Sequence, residues 1–228
     1  MKQIPLAIGP DPLPTFDTYL TSANAAALAH LSALDRPAAP VYLWGPRGSG
    51  KTHLLRALVN QRHAAGELAG SFDATDPAPW LLQPDWTLVV VDRCEQLDAE
   101  RQQQAFALFV QAGEAGVQWA AAGRVPPVDL PLRDDLRTRL AWGHVFALQP
   151  GSENETRAAL RREADRRGIF LPDEVMDYLL TRSARDLGTL MHLLDRMDRF
   201  ALARQRPVTV PLLRQMLQED AVEAGASS

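Results

Sequence analysis

The stretch Gly45-Pro46-Arg47-Gly48-Ser49-Gly50-Lys51-Thr52 decides how the rest of this sequence is interpreted. Its spacing fits the pattern G-x-x-x-x-G-K-[ST], in which a glycine-rich turn joins a strand to a helix. The flanking residues provide that context: the apolar run 41–44 predicts a buried strand, and residues 51–62 place leucines at helical core spacing. Backbone N–H groups in such a turn, together with the positive end of the helix dipole, favour phosphate groups. The stretch therefore predicts a phosphate-binding loop rather than a chance glycine turn.

The residue types in this loop imply separate roles toward a nucleotide, ADP or ATP. Lys51 is expected to reach the β and γ phosphates, and the Thr52 hydroxyl is expected to ligate Mg²⁺. The other candidate phosphate-binding residues are Gly45, Pro46, Arg47, Gly48, Ser49 and Gly50. Asp92 completes the set, because it follows the apolar strand 87–91, where P-loop proteins carry a carboxylate that holds Mg²⁺. The simpler alternative for Asp92 is a turn residue at a strand end.

The residue after Asp92 bears on hydrolysis by the chain itself. Many ATPases place there a glutamate that activates water, but this sequence has Arg93 and reaches a glutamate only at Glu95. Residues 120–124 show no polar sensor at a strand end where related ATPases often carry one. We therefore predict weak intrinsic hydrolysis and little effect of Glu95 on it, and leave open whether the chain is an enzyme.

Apolar strands alternate with amphipathic helices as far as residue 150. Further strands are predicted at 117–122 and 145–148, and helices at 24–34 and 100–111. This alternation predicts an α/β fold with a central parallel sheet covered by helices on both faces. Residues 71–85 are rich in proline and turn residues and predict no regular element.

The pattern changes after residue 150, where only helical periodicity remains, in about four helices. Ser152 followed by Glu155 is a capping-box signature for the first of them. We therefore predict a small all-α domain joined to the α/β domain by a hinge near Pro150. The predicted division is an extended tail at 1–12, a nucleotide-binding domain at 13–150, a helical domain at 151–220 and a frayed tail at 221–228.

Composition narrows the classes of function. Apolar residues make up 46% of the chain, enough for a folded core. The 24 basic and 28 acidic residues give a net charge of −4, which argues against a large basic face that grips DNA directly. The single cysteine, Cys94, argues against a disulfide framework, and no zinc-ligand spacing is found. Neither a signal peptide nor an apolar run of about 20 residues is recognised, so a cytoplasmic location without membrane contact is expected.

Several segments resemble the AAA+ module of the bacterial replication initiator DnaA and its homologues. Residues 42–45 (Tyr-Leu-Trp-Gly) and 51–55 (Lys-Thr-His-Leu-Leu) are similar to the segments that flank the phosphate loop in that family. Residues 15–19 with Asn24 resemble the linker that packs near the adenine. The likeness continues from Arg139 to the last helices. It implies an AAA+ P-loop domain followed by a small helical lid.

Within this family the sequence resembles the regulatory homologues of DnaA, since the printed chain leaves no room for the initiator's DNA-binding domain. Those proteins bind ADP, ride on the sliding clamp of DNA polymerase and trigger hydrolysis of ATP held by DnaA, which prevents over-initiation of replication. The resemblance therefore implies two partners, the DnaA initiator and the sliding clamp, with DNA contacted only through the clamp. It also implies self-association without fixing the number of subunits.

The N-terminal tail contains the feature that implies clamp binding. Gln3, Ile4, Leu6 and Ile8 are similar to the family's short clamp-binding motif. In an extended peptide, Leu6 and Ile8 can enter an apolar pocket while the glutamine hydrogen-bonds at its rim. A chance match in an exposed tail is the alternative.

Arg139 matches the position of the family's arginine finger, which acts in trans on a nucleotide bound to a partner. A planar, permanently charged guanidinium is suited to stabilising a transferring phosphoryl group. A solvated helix arginine is the alternative, and Arg133 and Arg137 are candidates of the same kind.

The sequence departs from the family at the sensor of the lid. Gly188 stands where the family usually has an arginine, and Arg185, one turn earlier, is a candidate substitute. The preference between ADP and ATP is therefore left open. Two further functions also stay open: a self-contained AAA+ ATPase such as a helicase loader, and a non-catalytic adaptor that nucleotide stabilises.

Overall fold

A computed structural model describes residues 13–19, 22–34, 38–182 and 187–225. By their internal contacts, the described residues up to Pro150 form one compact unit, and those from Gly151 onward belong to a second. None of the helices in these ranges is both long and apolar enough to cross a bilayer.

The first unit is built on a five-stranded sheet in which every pairing is parallel. The strands are β1 (Val41–Trp44), β2 (Leu68–Phe72), β3 (Trp86–Val91), β4 (Gln118–Gly123) and β5 (His144–Ala147). Their order across the sheet is β2-β3-β4-β1-β5. Because the strands are parallel, the residues that follow β1 and β3 emerge at the same edge, where open α/β sheets bind ligands.

Helices cover both faces of this sheet. They are α1 (Ala25–Ser32), α2 (Lys51–Ala64), α3 (Ala99–Glu114) and α4 (Asp134–Leu140). Helices α1 and α2 share a buried cluster with Leu43 and Val90, whereas α3 and α4 share another with Tyr42 and Val91. Neighbouring strand residues enter different clusters because successive side chains of a strand point to opposite faces. The predicted α/β fold is confirmed.

Strand β2 was not predicted from the sequence. Residues 68–72 include Gly70 and Ser71 and lack an alternating apolar pattern, yet they pair in parallel with β3. A side chain on residue 70 would collide with the ring of Trp86, so the position needs glycine. Pairing with β3 therefore overrides a weak local preference for strand. The expectation that residues 71–85 hold no regular element was wrong for Ser71 and Phe72.

The second unit is all-α. Its helices are α5 (Glu153–Arg166), α6 (Asp173–Arg182), α7 (Leu187–Arg204) and α8 (Val210–Gly225). Leu160, Leu194 and Leu213 are fully buried in its core. Helix α5 begins with the predicted capping box: the Glu155 N–H donates to the Ser152 hydroxyl at 3.3 Å, and the Ser152 N–H donates to the Glu155 carboxylate at 2.7 Å. The side chain at its start therefore satisfies N–H groups that the helix leaves unpaired.

Candidate functional site

The glycine-rich loop connects the end of β1 to the start of α2, as its sequence context predicted. Gly48 and Gly50 have left-handed backbone angles, with φ of 82° and 85°, which glycine adopts readily. A side chain on Gly45 would collide with the carbonyl oxygen of Leu148, and one on Gly50 would collide with the ring of Tyr19. The packing of this chain therefore requires glycine at these positions.

Two sources of positive charge meet in this loop. The residue before α2 is Gly50, which offers no side chain to the first N–H groups of the helix, so these donors can face an anion. The Lys51 ammonium donates to the carbonyl oxygens of Gly45 at 2.7 Å and Pro46 at 2.9 Å, and to the Ser49 hydroxyl at 3.3 Å. A phosphate group at the loop would therefore meet a helix N-terminus and an ammonium group together.

Thr52 and Asp92 also come together at this edge of the sheet. Asp92 follows β3, and the Thr52 hydroxyl donates to its Oδ2 at 2.5 Å. Mg²⁺ in nucleotide sites usually takes one or two protein ligands and completes its shell with phosphate oxygens and waters. The described residues contain no cluster of three or more His, Cys, Asp or Glu side chains able to hold a metal. The pair thus fits an ion that is held partly by a nucleotide, not one held by protein alone.

A hydrogen-bond network centred on the buried Asn24 supports the loop from outside the motif. The Tyr19 hydroxyl donates to the Ser49 carbonyl at 2.8 Å, and the Asn24 amide donates to the Tyr19 hydroxyl at 2.5 Å. Asn24 also bonds both main-chain groups of Gln149, each at 2.8 Å. Asn24 is only 3% exposed, so each of its polar atoms depends on these partners. Residues 15–19 and Asn24 were expected near the nucleotide by resemblance, but these hydrogen bonds were not predicted, since Ser49 and Gln149 are far from them along the chain.

Two of the segments that carry the family resemblance touch each other. The His53 ring nitrogen Nε2 lies 2.9 Å from the Thr15 carbonyl oxygen and 3.2 Å from the Thr18 hydroxyl. Burial lowers the pKa of His53 despite the hydrogen bond to Thr15. The residues after the phosphate loop therefore hold the segment that precedes α1 against α2.

Glu95 is engaged by the residue that follows β4. Its Oε2 accepts the backbone N–H of Arg124 at 3.1 Å, and its Oε1 lies 3.5 Å from the Arg124 guanidinium. Arg124 directly follows β4, the strand that lacks a polar sensor. This contact gives Glu95 a structural role. Its position is therefore explained without assuming that it acts as a catalytic base.

A Glu95→Gln variant is therefore expected to hydrolyse ATP on its own at the parent rate, within about twofold. A general base contributes roughly a hundredfold or more, so its loss could not be overlooked. The measurement is release of phosphate by the purified chain with Mg²⁺ and ATP, with Asp92→Asn as a control that changes a proposed Mg²⁺ ligand. Loss of a fast intrinsic turnover in the glutamine variant would contradict this role.

The structure distinguishes Arg139 from the other arginines of its segment. Arg133 pairs with Asp135 at 2.7 Å, and Arg137 pairs with Asp134 at 2.5 Å. Among the described residues no carboxylate pairs with Arg139. Its guanidinium instead lies over aromatic rings, 4.2 Å from the ring centroid of Trp142 and 6.0 Å from that of Phe106. Trp142 is itself 63% exposed, whereas Arg139 is half-buried.

Several predicted residues lie outside the described residues. They are the candidate clamp-binding residues Gln3, Ile4, Leu6 and Ile8, and the candidate lid residue Arg185. Gly188 is described, and it is the second residue of α7.

Comparisons with known proteins agree with this fold. Residues 153–217 match the family model described as Hda, lid domain. The crystal structure of domain III of the Thermotoga maritima initiator DnaA is similar over 92% of this chain and 98% of its own, with 18% identity and a TM-score of 0.73. AMPPCP-bound DnaA from Aquifex aeolicus matches 82% of this chain and 66% of its own, with 19% identity and a TM-score of 0.65.

A motor of a different kind has a related fold. The Holliday junction branch migration motor RuvB of Thermotoga maritima matches 90% of this chain and 71% of its own, with 14% identity and a TM-score of 0.61. At these identities the structural matches establish the fold only. The family match at residues 153–217 is more specific, because it is to the lid domain of Hda. The resemblance is thereby confirmed at this level: residues 153–217 match the Hda lid domain, and the chain has the fold of DnaA domain III.

Proposed function

We propose that this chain is a regulatory AAA+ protein that binds ADP or ATP, attaches to the sliding clamp and stimulates hydrolysis of ATP bound to DnaA. The observation that carries this proposal is the state of Arg139, which lies over the exposed ring of Trp142 and which no carboxylate of the described residues neutralises. Glu95, by contrast, is engaged with Arg124. The chain is thus better equipped to act on a partner's nucleotide than on its own.

The nucleotide of the chain itself would be held by the phosphate loop. Lys51 and the first N–H groups of α2 would bind the phosphates, with Gly45 to Gly50 shaping the backbone around them. Thr52 and Asp92 would hold Mg²⁺, which neutralises charge on the phosphate oxygens when it is bound. The fold shared with AMPPCP-bound DnaA supports this assignment.

Arg139 would act by leaving its aromatic platform for the phosphates of a partner. An exposed cation–π contact is worth only about 0.5–1 kcal/mol. The contact with Trp142 therefore orients the guanidinium but costs little free energy to break. Arg133 and Arg137 would first have to break ion pairs and would leave a carboxylate beside the phosphate. An arginine supplied in trans can raise the rate of phosphoryl transfer by about a thousandfold or more.

Attachment to the clamp would raise the local concentration of the chain near DnaA. A short peptide anchor binds weakly by itself, but a tether converts the second encounter into an effectively intramolecular one. This part of the proposal rests on Gln3, Ile4, Leu6 and Ile8 and their similarity to the clamp-binding motif.

A Gln3→Ala/Leu6→Ala double variant should bind the clamp at least about tenfold more weakly than the parent chain. The expected loss is a hydrogen bond at the rim and an apolar side chain in its pocket, together well above the 1.4 kcal/mol that corresponds to tenfold. Surface plasmon resonance on immobilised clamp measures the change, and Lys2→Ala is the matched control in the same tail. Unchanged clamp affinity in the double variant would refute the tether.

A further inference from the structure

The turn after β3 contains a residue in an unfavourable backbone conformation. Arg93 has φ 54° and ψ 43°, in the left-handed region. An amino acid with a side chain enters this region at a cost in free energy, and such residues persist only where the surroundings hold them. Arg93 directly follows Asp92, so the contacts that fix the conformation of Arg93 also affect the position of the Asp92 carboxylate.

This conformation allows Arg93 to orient Asp92. The Arg93 backbone N–H donates to Asp92 Oδ1 at 2.8 Å, while the Thr52 hydroxyl donates to Oδ2 at 2.5 Å. The carboxylate is thus held from both sides, and its plane is defined by one main-chain and one side-chain donor. Strand β3 holds the chain before this turn and the helical turn 94–96 holds the chain after it. Turning residue 93 to the usual right-handed conformation would therefore require a compensating rotation of the Asp92–Arg93 peptide, which carries the N–H that bonds Oδ1.

Asp73 is the group that holds Arg93. It follows β2, and its carboxylate forms an ion pair with the Arg93 guanidinium. The two ends lie side by side because β2 and β3 pair in parallel up to Phe72 and Val91. The Asp92 N–H also donates to the Phe72 carbonyl at 2.9 Å. The Arg93 side chain therefore extends from the end of β3 to the end of β2, which lies on the opposite side of β3 from β4.

Asp73 is itself fixed in place. Its Oδ1 accepts the Thr75 N–H at 2.7 Å and the Thr75 hydroxyl at 2.6 Å, and its own N–H donates to Asp76 at 2.7 Å. Burial opposes ionisation of Asp73, but the hydrogen bonds from Thr75 and the contact with Arg93 outweigh burial and lower the pKa of the carboxyl. The hydrogen bond with Asp73 in turn raises the pKa of Arg93. Both members of the pair are therefore charged at neutral pH.

We propose that the Asp73–Arg93 pair is a positioning device, which keeps residue 93 in the left-handed turn and so presents Asp92 to the Mg²⁺ of a bound nucleotide. The inference rests on the proposed nucleotide site and assigns a role to two residues outside the phosphate loop. Arg93 touches neither the loop nor Thr52 in this arrangement and acts only through Asp92. The ion pair is partly solvated, with 42% and 23% of the two side chains exposed, so its removal should not unfold the protein.

The test is the Mg²⁺ dependence of nucleotide affinity. The Kd of a fluorescent ADP analogue is measured for the full chain in Mg²⁺ and in EDTA. The ratio of the Kd in EDTA to the Kd in Mg²⁺ reports how well the ion is held. Partners that orient metal ligands typically change metal affinity by about 10–100-fold. In Asp73→Asn and Arg93→Ala the ratio should fall by roughly tenfold, with the Kd in EDTA unchanged.

An Arg93→Gly variant separates the backbone role from the charge of the arginine. Glycine enters the left-handed region freely, so this variant should keep most of the parent ratio and should be insensitive to adding Asp73→Asn. If the arginine acted through its charge alone, the glycine and alanine variants would lose the ratio equally, and the proposal would be overturned. A parent ratio in both Asp73→Asn and Arg93→Ala would also overturn it.

A second measurement needs no nucleotide and keeps this inference distinct from the proposed function. In the parent chain the Arg93 amide, which donates to Asp92, should exchange slowly with solvent in NMR, and Asp73→Asn should speed that exchange about tenfold or more. Faster exchange in a chain that binds no nucleotide would refute the proposed function and the Mg²⁺ role but leave the positioning of Asp92 established. Unchanged exchange would refute the positioning itself, even if nucleotide binds.

Discussion

An Arg139→Ala variant should lose roughly a thousandfold in its stimulation of ATP hydrolysis on DnaA, while its affinity for nucleotide and clamp stays at the parent value. The expectation follows from the trans role of the guanidinium, which contributes only when it reaches the partner's phosphates. Arg139 lies on α4 and is not one of the phosphate loop residues that would bind the chain's own nucleotide. Binding and stimulation should therefore separate cleanly in this variant.

Arg137→Ala is the matched control for this measurement. It removes an arginine two residues away on the same helix, one whose guanidinium is already paired with Asp134 at 2.5 Å. Stimulation by the control should stay within about twofold of the parent, since a surface ion pair contributes 1 kcal/mol or less. Parent-like stimulation by Arg139→Ala would favour a non-catalytic adaptor. A loss of stimulation in Arg137→Ala alone would show that Arg137, and not Arg139, is the arginine finger.

Replacing Lys51 with alanine should weaken binding of ADP and ATP by about a hundredfold. The ammonium group donates to both the Gly45 and the Pro46 carbonyls of the loop. Hydrogen bonds to charged groups contribute about 1.5–3 kcal/mol, and about 2.8 kcal/mol corresponds to a hundredfold in Kd. Isothermal titration with each nucleotide measures the loss.

Arg56→Ala provides the control for Lys51→Ala, because Arg56 is an exposed cation on the same helix beyond the loop. Its effect on nucleotide affinity should be no more than about twofold at physiological salt, where exposed charges are screened. Parent-like affinity in Lys51→Ala, with a parent-like thermal transition, would mean that nucleotide is not held at this loop.

The fold of the first unit was predictable wherever local pattern and tertiary role agree. The strand 41–44 matches β1, because a short apolar run buried on both faces of a parallel sheet is continuous in sequence. The loop and the start of α2 at Lys51 follow from the spacing of glycines. Strand β2 was missed because its identity comes from pairing with β3 rather than from its own residues. Boundaries elsewhere shifted by one to three residues, as helix and strand ends usually do.

The site was predictable only where a motif encodes it. The sequence singled out Thr52 and Asp92 forty residues apart, and the structure brings them to 2.5 Å. It gave no sign that Asp73 would hold Arg93, since Asp73 lies at the end of the missed strand. The support from Tyr19 and Asn24 was also missed as a hydrogen-bond network, although both belong to the segment that resembles the adenine-side linker. Such contacts depend on the tertiary arrangement, which single-sequence patterns do not specify.

Following the nucleotide bound to DnaA tests whether this chain stimulates hydrolysis of DnaA-bound ATP. DnaA is loaded with radiolabelled ATP, freed of unbound nucleotide and mixed with this chain, ADP and clamp-loaded DNA, and the bound ATP converted to ADP is measured over time. We expect rapid conversion when the chain and clamp-loaded DNA are both present, and slow conversion when either is omitted. Labelled ATP that stays intact on DnaA, while the chain alone turns over free ATP, would contradict the account and identify an independent ATPase.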